Sequence, residues 1–156
     1  MFNFLKKKTS VLLAPIDGVV VPLEEVPDPI FSQKMMGEGV AIQATGDVAY
    51  APADGLITVT IETKHAFGMC LDNGMVLLVH VGLDTVDMKG EGFEILVEEH
   101  QRVTAGTPII KINRELLKEH NLLTPVIVTN PEVFEFVNLH VGEEVKAKES
   151  VLIEYR

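Results

Sequence analysis

Short apolar runs that alternate with polar residues recur along the chain and predict β-strands. Successive strand side chains point to opposite faces, so an alternating run turns one apolar face toward a core. The 12 Gly and 8 Pro residues often stand between these runs and favour turns. This pattern is typical of an all-β protein, and we expect an antiparallel sandwich or a partly closed barrel. The predicted strands cover residues 11–13, 19–23, 40–44, 56–61, 93–97, 107–112, 125–129, 133–137 and 150–155.

Helical spacing of apolar residues occurs in two short segments. Residues 30–36 carry apolar side chains at that spacing and run into glycines, which predicts a single helical turn. Residues 114–120 follow Asn113, a residue type that favours the N-cap position. The sequence therefore predicts one short helix at 114–120 and one helical turn near residue 30.

Two motifs occur twice in the chain, which indicates duplication within one domain. Ala-Pro-x-Asp-Gly occurs at residues 14–18 and at residues 51–55, each time before an apolar run. Residues 103–110 and 145–152 form a second similar pair, and each begins with Val-x-Ala. Neither motif continues as a longer series. We therefore expect a duplicated β unit rather than a solenoid.

Two histidines stand at the ends of apolar rows. The alternating positions of residues 57–63 lead to His65, and those of residues 76–78 lead to His80. Asp-Asn-Gly at residues 72–74 predicts a hairpin turn between the two strands, because Asn and Gly accept positive φ. Two interpretations follow. The histidines form one site, or they are unrelated, with one exposed and one hydrogen-bonded in a packed core.

Composition and net charge limit the number of domains, the kind of partner and the cellular location that we expect for this chain. A chain of 156 residues with 47% hydrophobic residues predicts one domain, residues 1–156, with a substantial core. The formal net charge of -10 argues against nucleic acid and favours basic partners. The single cysteine, Cys70, forms no internal disulfide, so a reducing cytoplasm is the expected location. No apolar run reaches membrane-spanning length, and residues 1–10 are expected to be a flexible tail.

Several further motifs accompany the two histidines, and their combination is specific. They are Thr63-Lys-His-Ala-Phe67, Leu78-Val-His-Val-Gly-Leu-Asp-Thr-Val86, Lys89-Gly-Glu-Gly-Phe93, Val26-Pro-Asp-Pro-Ile-Phe31, Lys34-Met-Met-Gly-Glu-Gly39, Val103-Thr-Ala-Gly106 and Thr124-Pro-Val-Ile-Val-Thr-Asn130. Together they resemble the glucose-family enzyme IIA of the bacterial phosphoenolpyruvate-dependent sugar phosphotransferase system. The resemblance implies an antiparallel β-sandwich of duplicated hybrid motifs, with one or two short helices.

The same resemblance implies a phosphoryl relay. The histidine-containing phosphocarrier HPr would donate a phosphoryl group to His80, giving a tele-phosphohistidine, and a cysteine on the EIIB domain of a glucose-type sugar permease would receive it. His65 would stabilise the phosphoryl group without accepting it. The Thr63 hydroxyl would orient His65, and the Gly82 carbonyl would orient His80. Neutral imidazole suits this chemistry because its ordinary pKa is about 6.5.

The resemblance also assigns partner-binding residues around the site. Asp28 and Asp84 would meet basic residues on HPr. A modest interface is expected, since both partners must leave quickly. We expect a monomer that touches the membrane only indirectly, through the permease. The apolar residues expected at the partner interface are Phe31, Met36, Phe67, Leu78 and Val86.

Three alternatives from other classes remain open at this stage. A zinc peptidase shares this kind of fold, but two histidines give an incomplete site and no His-x-His occurs in the chain. A biotin or lipoyl carrier would explain the Val-x-Ala-Gly turn, but Gln33 precedes Lys34 where a biotin motif has Met. A non-catalytic binding module is the third. The relay requires no cofactor, and a zinc ion between His65 and His80, completed by a partner's ligand, would be regulatory.

No further motif accompanies the other three histidines or the cysteine. His100 is expected at the surface, and His120 and His140 are expected to be structural or exposed. Cys70 is expected to be a buried, inert thiol, because no base motif accompanies it.

Overall fold

The structure is a computed structural model that describes residues 8–156 and is built mainly of short strands. One α-helix, α1 (Pro29–Ser32), and 3₁₀ turns at Leu23–Glu25, Thr85–Met88 and Pro131–Val133 join them. The strands are β1 (Ser10–Leu13), β2 (Gly18–Pro22), β3 (Glu38–Ala44), β4 (Val48–Tyr50), β5 (Gly55–Thr60), β6 (Ala66–Leu71), β7 (Val76–His80), β8 (Phe93–Ile95), β9 (Arg102–Val103), β10 (Pro108–Ile112), β11 (Leu123–Val128), β12 (Phe136–Asn138), β13 (Glu144–Val145) and β14 (Val151–Tyr155).

Three antiparallel sheets make up the described part of the chain. The largest has eight strands in the order β13-β2-β3-β11-β7-β6-β5-β9. Two three-stranded sheets have the orders β1-β14-β12 and β4-β10-β8. The ladders within all three sheets are antiparallel. The all-β, antiparallel class expected from the sequence is confirmed.

The two repeated motifs meet each other in matching pairs. Asp17 Oδ1 accepts a hydrogen bond from the Ala147 amide at 2.7 Å. In the other copy, Asp54 Oδ1 accepts one from the Ala105 amide at 2.8 Å. The glycines behave alike, since Gly18 in β2 pairs with β13 and Gly55 in β5 pairs with β9. Each Ala-Pro-x-Asp-Gly corner is therefore fastened by a Val-x-Ala turn, as expected of a duplicated unit.

A second relation between the copies lies at the corners themselves. The Leu13 amide donates to the Pro52 carbonyl at 2.9 Å, and the Tyr50 amide donates to the Pro15 carbonyl at 2.7 Å. Because these two bonds are equivalent under exchange of the copies, the corners lie back to back across a local twofold relation.

Apolar side chains fill both faces of the central strands of the large sheet. The main core lies on one face and continues to the two smaller sheets. The segment from the first 3₁₀ turn to α1 covers the opposite face of β3 and β11, where it forms a second, smaller cluster. The Asp28 side chain begins α1 by accepting a hydrogen bond from the Ile30 amide at 3.0 Å. The buried members of the second cluster are Leu23, Val26, Phe31, Ala41, Leu123 and Ile127.

Two predicted elements differ from the structure. Residues 114–120 form successive turns instead of a helix, with Leu117 bonded back to Arg114 and His120 bonded back to Leu117. A segment this short gains little from cooperative helix formation, and burial of Leu117 fixes it locally. The predicted strand at 133–137 begins later, as β12, because a 3₁₀ turn starts at the preceding proline.

The N-terminal prediction is tested only in part. Ser10, placed in the expected tail, begins β1 and pairs with Tyr155. Residues 1–7 lie outside the described residues. In residues 8–156, no helix has the length and apolar character needed to cross a bilayer.

Candidate phosphoryl-transfer site

Strand β7 places His80 on the face opposite the main core. Leu77 and Val79 are almost completely buried in that core. Leu78 packs against the smaller cluster under α1, and His80 shares its face because strand side chains alternate. The ring of Phe31 lies against the His80 ring, with centroids 5.4 Å apart and planes at 59°. The predicted row that ends at His80 is therefore confirmed.

His65 reaches the site by a different path from the predicted one. Strand β5 ends at Thr60, and the chain turns through Lys64, whose φ is 64°, before β6 begins. The row from residue 57 to His65 is therefore wrong, because a turn interrupts it. His65 directly precedes β6, and its carbonyl accepts a hydrogen bond from the Val81 amide at 2.7 Å. Pairing of β6 with β7 brings the two histidines together.

The two imidazoles meet edge to face. Their ring centroids are 4.6 Å apart and their planes are at 85°. Phe93 lies beyond His65, with centroids 6.3 Å apart. His65 is 3% exposed, whereas His80 is half-buried. The arrangement exposes one histidine and encloses the other beside it.

A single hydrogen bond sets the chemistry of His80. Its Nδ1 lies 2.7 Å from the Gly82 carbonyl oxygen. A carbonyl only accepts, so neutral His80 carries its proton on Nδ1. The lone pair is then on Nε2, the nitrogen farther from the backbone. This tautomer makes Nε2 the nucleophilic atom of the ring.

The surroundings keep both imidazoles uncharged. Burial lowers the pKa of His65 below the ordinary 6.5, a positive charge on His80 would lower it further, and the Thr63 backbone opposes both effects. Burial also lowers the pKa of His80, and the Gly82 carbonyl and the Asp28 carboxylate oppose this. Both rings are therefore mainly neutral at pH 7, and His80 has its nucleophilic lone pair available.

The site lies at the protein surface, since His80 is only half-buried. A cavity of about 540 Å³ elsewhere in the fold contains neither histidine. In the described part of the chain, no three His, Cys, Asp or Glu side chains are placed to hold a metal ion. The accessible histidine thus suits contact with another macromolecule. The lining of that cavity is Asp47, Gly92, Phe93, Glu94, Lys111, Ile112, Asn113, Arg114 and Leu116.

Comparison with known proteins identifies the family. Residues 10–134 match the family model described as phosphoenolpyruvate-dependent sugar phosphotransferase system, EIIA 1. The chain belongs to this EIIA family. It is accordingly an EIIA component of a sugar phosphotransferase system, and the resemblance inferred from the motifs is confirmed.

Named relatives agree with this assignment. The PTS system glucose-specific EIIA component of Bacillus cereus is 45% identical over 139 residues, which cover 88% of this chain and 84% of that protein. The PTS system glucoside-specific EIICBA component of Staphylococcus carnosus is 44% identical over 147 residues, covering 92% of this chain and 21% of that protein. The solved structure of glucose permease IIA from Mycoplasma capricolum has a TM-score of 0.83 and 34% identity, covering 95% of this chain and 96% of that one.

The EIIA residues predicted to orient the histidines differ in what they contact. The Gly82 carbonyl bonds to His80, as described above. Thr63 is half-buried in the turn before His65, but its hydroxyl makes no hydrogen bond to that ring in residues 8–156. Nδ1 of His65 is buried without a hydrogen-bond partner in the same residues. Burial lowers the pKa of His65, and the Thr63 backbone opposes this lowering.

The predicted partner-binding residues also separate into groups. Met36 and Val86 are 39% and 49% exposed and offer apolar surface. Phe31 and Leu78 lie beneath, in the smaller cluster. Phe67 is fully buried in the main core, so its assignment to a partner surface is wrong. Residues on both faces of β6 are buried, so the Phe67 side chain does not reach the surface on either face.

The two predicted acidic contacts have partners within the chain. Asp28 caps α1, and its charge raises the pKa of His80. The Oδ1 atom of Asp84 lies 3.2 Å from Nδ1 of His120. His120, for which the sequence showed no partner, therefore contacts Asp84, which lies two residues after Gly82.

Residues missed by the sequence argument include Phe93, Ile30 and Met35. Phe93 packs on His65, and its place at the end of the Lys89–Phe93 motif was the available signal. Ile30 and Met35 are 46% and 70% exposed on the segment that carries Phe31. Exposed apolar residues on a segment otherwise packed on the sheet extend the surface available to a partner.

Gly82→Ala is expected to destabilise the fold strongly. Gly82 has φ of 80°, and an added Cβ would lie 2.5 Å from Thr85 Cγ2 and 2.9 Å from the Asn121 carbonyl oxygen. We expect a loss of about 2–4 kcal/mol in the free energy of unfolding, combining backbone strain with overpacking. Gly74→Ala is the control, because Gly74 has φ of 90° but nothing within 4 Å of the added atom. Urea unfolding that gave equal losses for the two variants would contradict the close packing around Gly82.

Stability is expected to fall as the pH drops below about 7. The folded pKa of His65 is lower than its unfolded value, so between these values the unfolded chain binds more protons. The contribution is fully present above the unfolded pKa and is lost as the pH falls through 6.5 toward the folded pKa. Urea midpoints measured from about pH 8 to about pH 5 should decline less in His65→Gln than in the wild type. An identical decline would show that His65 does not carry this effect.

Proposed function

We propose that this chain is a phosphoryl carrier that accepts a phosphoryl group from phospho-HPr on Nε2 of His80. It then passes the group to a cysteine of the EIIB domain of a glucose-type permease. The observation that carries the proposal is the 2.7 Å contact between His80 Nδ1 and the Gly82 carbonyl. That contact favours a lone pair on Nε2 of a half-buried ring that packs against Phe31 and His65.

The chemical step needs few groups. The Nε2 lone pair attacks phosphorus in line, the N–P bond to the donor histidine breaks, and its electron pair returns to that donor ring. His80 keeps its Nδ1 proton, and the Gly82 carbonyl stabilises the positive charge on the phosphorylated ring. In the second transfer a cysteine thiolate attacks phosphorus and the N–P electron pair returns to Nε2. No external base is needed at His80 in either direction.

His65 supplies a neighbouring donor in this proposal. A neutral imidazole has one N–H, and at 4.6 Å between centroids the His65 ring is close enough to reach a phosphoryl group on His80. Transferring phosphoryl oxygens carry negative charge, which a fixed donor in a partly dry site stabilises. The lowered pKa of His65 keeps it a neutral donor and not a second charged group.

The names of the relatives and the net charge of this chain support the partners and the sugar class that we propose. The relatives from Bacillus cereus and Mycoplasma capricolum bear names that specify glucose, and the EIICBA relative joins A and B components in one protein. The net charge of -10 favours a basic phosphoryl donor. We place the relay in the cytoplasm, with the chain a monomer that reaches the membrane only through the permease.

In this proposal zinc would have only a regulatory role. The two imidazoles supply two nitrogen ligands, and residues 8–156 hold no group of three candidate ligands. The described residues alone therefore do not form a closed zinc site, which takes four ligands. A zinc ion between His65 and His80 would take a further ligand from a bound partner and would block Nε2 from phosphoryl transfer. The relay itself needs no cofactor.

Phosphorylation from purified components tests the function. The chain is incubated with phosphoenolpyruvate, the general kinase of the system and HPr, and its intact mass is measured before and after acid treatment. One acid-labile phosphoryl group is expected, and adding EIIB should discharge it. A wild-type chain that stays unlabelled while its circular dichroism spectrum is that of a β-sheet protein would overturn the proposal.

A further inference from the structure

Thr85 is one of three buried polar or charged side chains in residues 8–156, together with His65 and Thr124. It begins the 3₁₀ turn Thr85–Met88 and is completely inaccessible to solvent. A buried hydroxyl needs a hydrogen-bond partner, since leaving it unpaired costs free energy. The choice of partner for Thr85 connects it to the phosphoryl site.

The Thr85 hydroxyl donates to the Val81 carbonyl at 2.5 Å. Val81 lies between His80 and Gly82, and its amide donates to the His65 carbonyl. Thr85 therefore holds the Val81 carbonyl oxygen, which belongs to the peptide between Val81 and Gly82. Its hydroxyl makes no hydrogen bond to either imidazole ring.

The Thr85 side chain also packs on Gly82 itself. Its Cγ2 and Oγ1 atoms lie 2.5 and 3.0 Å from the position of a Cβ built on Gly82, so only glycine fits beneath it. From the other side, the Asn121 carbonyl accepts the Leu83 amide at 3.2 Å. Gly82 is thus enclosed between Thr85 and the segment before β11, and the direction of its carbonyl is fixed.

The geometry points to Thr85 as a positioning residue for phosphoryl transfer, which aims the Gly82 carbonyl at His80 Nδ1 and so keeps the reactive lone pair on Nε2. This inference rests on the proposed acceptance of a phosphoryl group by His80. It adds a residue that has no contact with the phosphoryl group and acts through the turn of residues 81–85.

Thr85→Val tests the hydroxyl, because the side chain keeps its shape and loses its donor. We expect the rate of phosphorylation by phospho-HPr to fall about tenfold at saturating HPr, with little change in KM, as for other residues that orient a reactive ligand. The fraction of His80 that carries its proton on Nδ1, measured from ¹⁵N chemical shifts of the unphosphorylated protein, should fall as well. Thr85→Ser keeps the hydroxyl and should behave as the wild type in both measurements.

Thr124→Val is the matched control. Thr124 is equally buried, and its hydroxyl donates to the Leu122 carbonyl at 2.8 Å. This variant should lose similar stability but keep the wild-type tautomer and rate. An unchanged tautomer and rate in Thr85→Val, or losses of the same size in Thr124→Val or Thr85→Ser, would overturn the inference. An unlabelled wild type would instead refute the proposed function, and the ¹⁵N measurement would still decide the role of Thr85.

Discussion

His80→Gln is expected to abolish phosphoryl acceptance from phospho-HPr. Glutamine keeps polar atoms near the Gly82 carbonyl but offers no nucleophilic nitrogen, because its amide lone pair is delocalised into the carbonyl. His65, although adjacent, is enclosed at 3% exposure and does not replace it. The measurement is intact mass after incubation with the phosphorylating components, in which the variant should show no added phosphoryl group.

His100→Asn provides the comparison for this loss. His100 is exposed and has φ of 68°, a conformation that asparagine tolerates. This variant removes an imidazole without touching the site and should be labelled as the wild type is. Residual labelling of His80→Gln at the wild-type level would place the acceptor on another residue and contradict the assignment.

His65→Gln is expected to separate the two halves of the relay. His80 keeps its bond to Gly82, so the variant should still accept a phosphoryl group. Discharge to EIIB should slow by about 10²–10³-fold, the usual cost of removing one fixed donor from a charged transition state. Quenched-flow measurement of phosphoryl loss, after loading each variant to the same extent, compares the two rates directly.

The outcome for His65→Gln depends on the geometry of the two rings. The 4.6 Å separation of the ring centroids makes His65 a neighbour of the His80 ring, while burial keeps it from accepting the group itself. Discharge at the wild-type rate would assign His65 to packing alone. Failure to load at all, with the fold retained, would show that the first transfer needs His65 as much as the second does.

The sequence predicted those parts of the fold in which local pattern and tertiary environment agree. The alternation that ends at His80 correctly placed its side chain, because β7 has one face on the main core and the other on a separate cluster. The repeated corners were visible because each needs its Asp to cap a distant amide, at Ala147 or Ala105. A structural requirement for a particular residue type, such as the Asp of each corner, is visible in the sequence.

Other features depend on contacts that no local pattern encodes. Lys64 adopts a left-handed conformation that ends the row toward His65, and lysine carries no signal for that turn. In the predicted hairpin turn, Gly74 has positive φ but Asn73 does not. Phe67 looks like a surface residue of the motif but is buried, since both sides of its strand are covered. Thr85 shows its importance only when the turn over Gly82 is seen in three dimensions.

Site-specific NMR of the phosphorylated protein tests the central claim most directly. The chain is labelled with ¹⁵N, phosphorylated and examined for the coupling between phosphorus and imidazole nitrogen. The contact of 2.7 Å between His80 Nδ1 and the Gly82 carbonyl predicts phosphorus on Nε2 of His80, with the proton retained on Nδ1. Phosphorus found on Nδ1 of His80, or on either nitrogen of His65, would contradict the account.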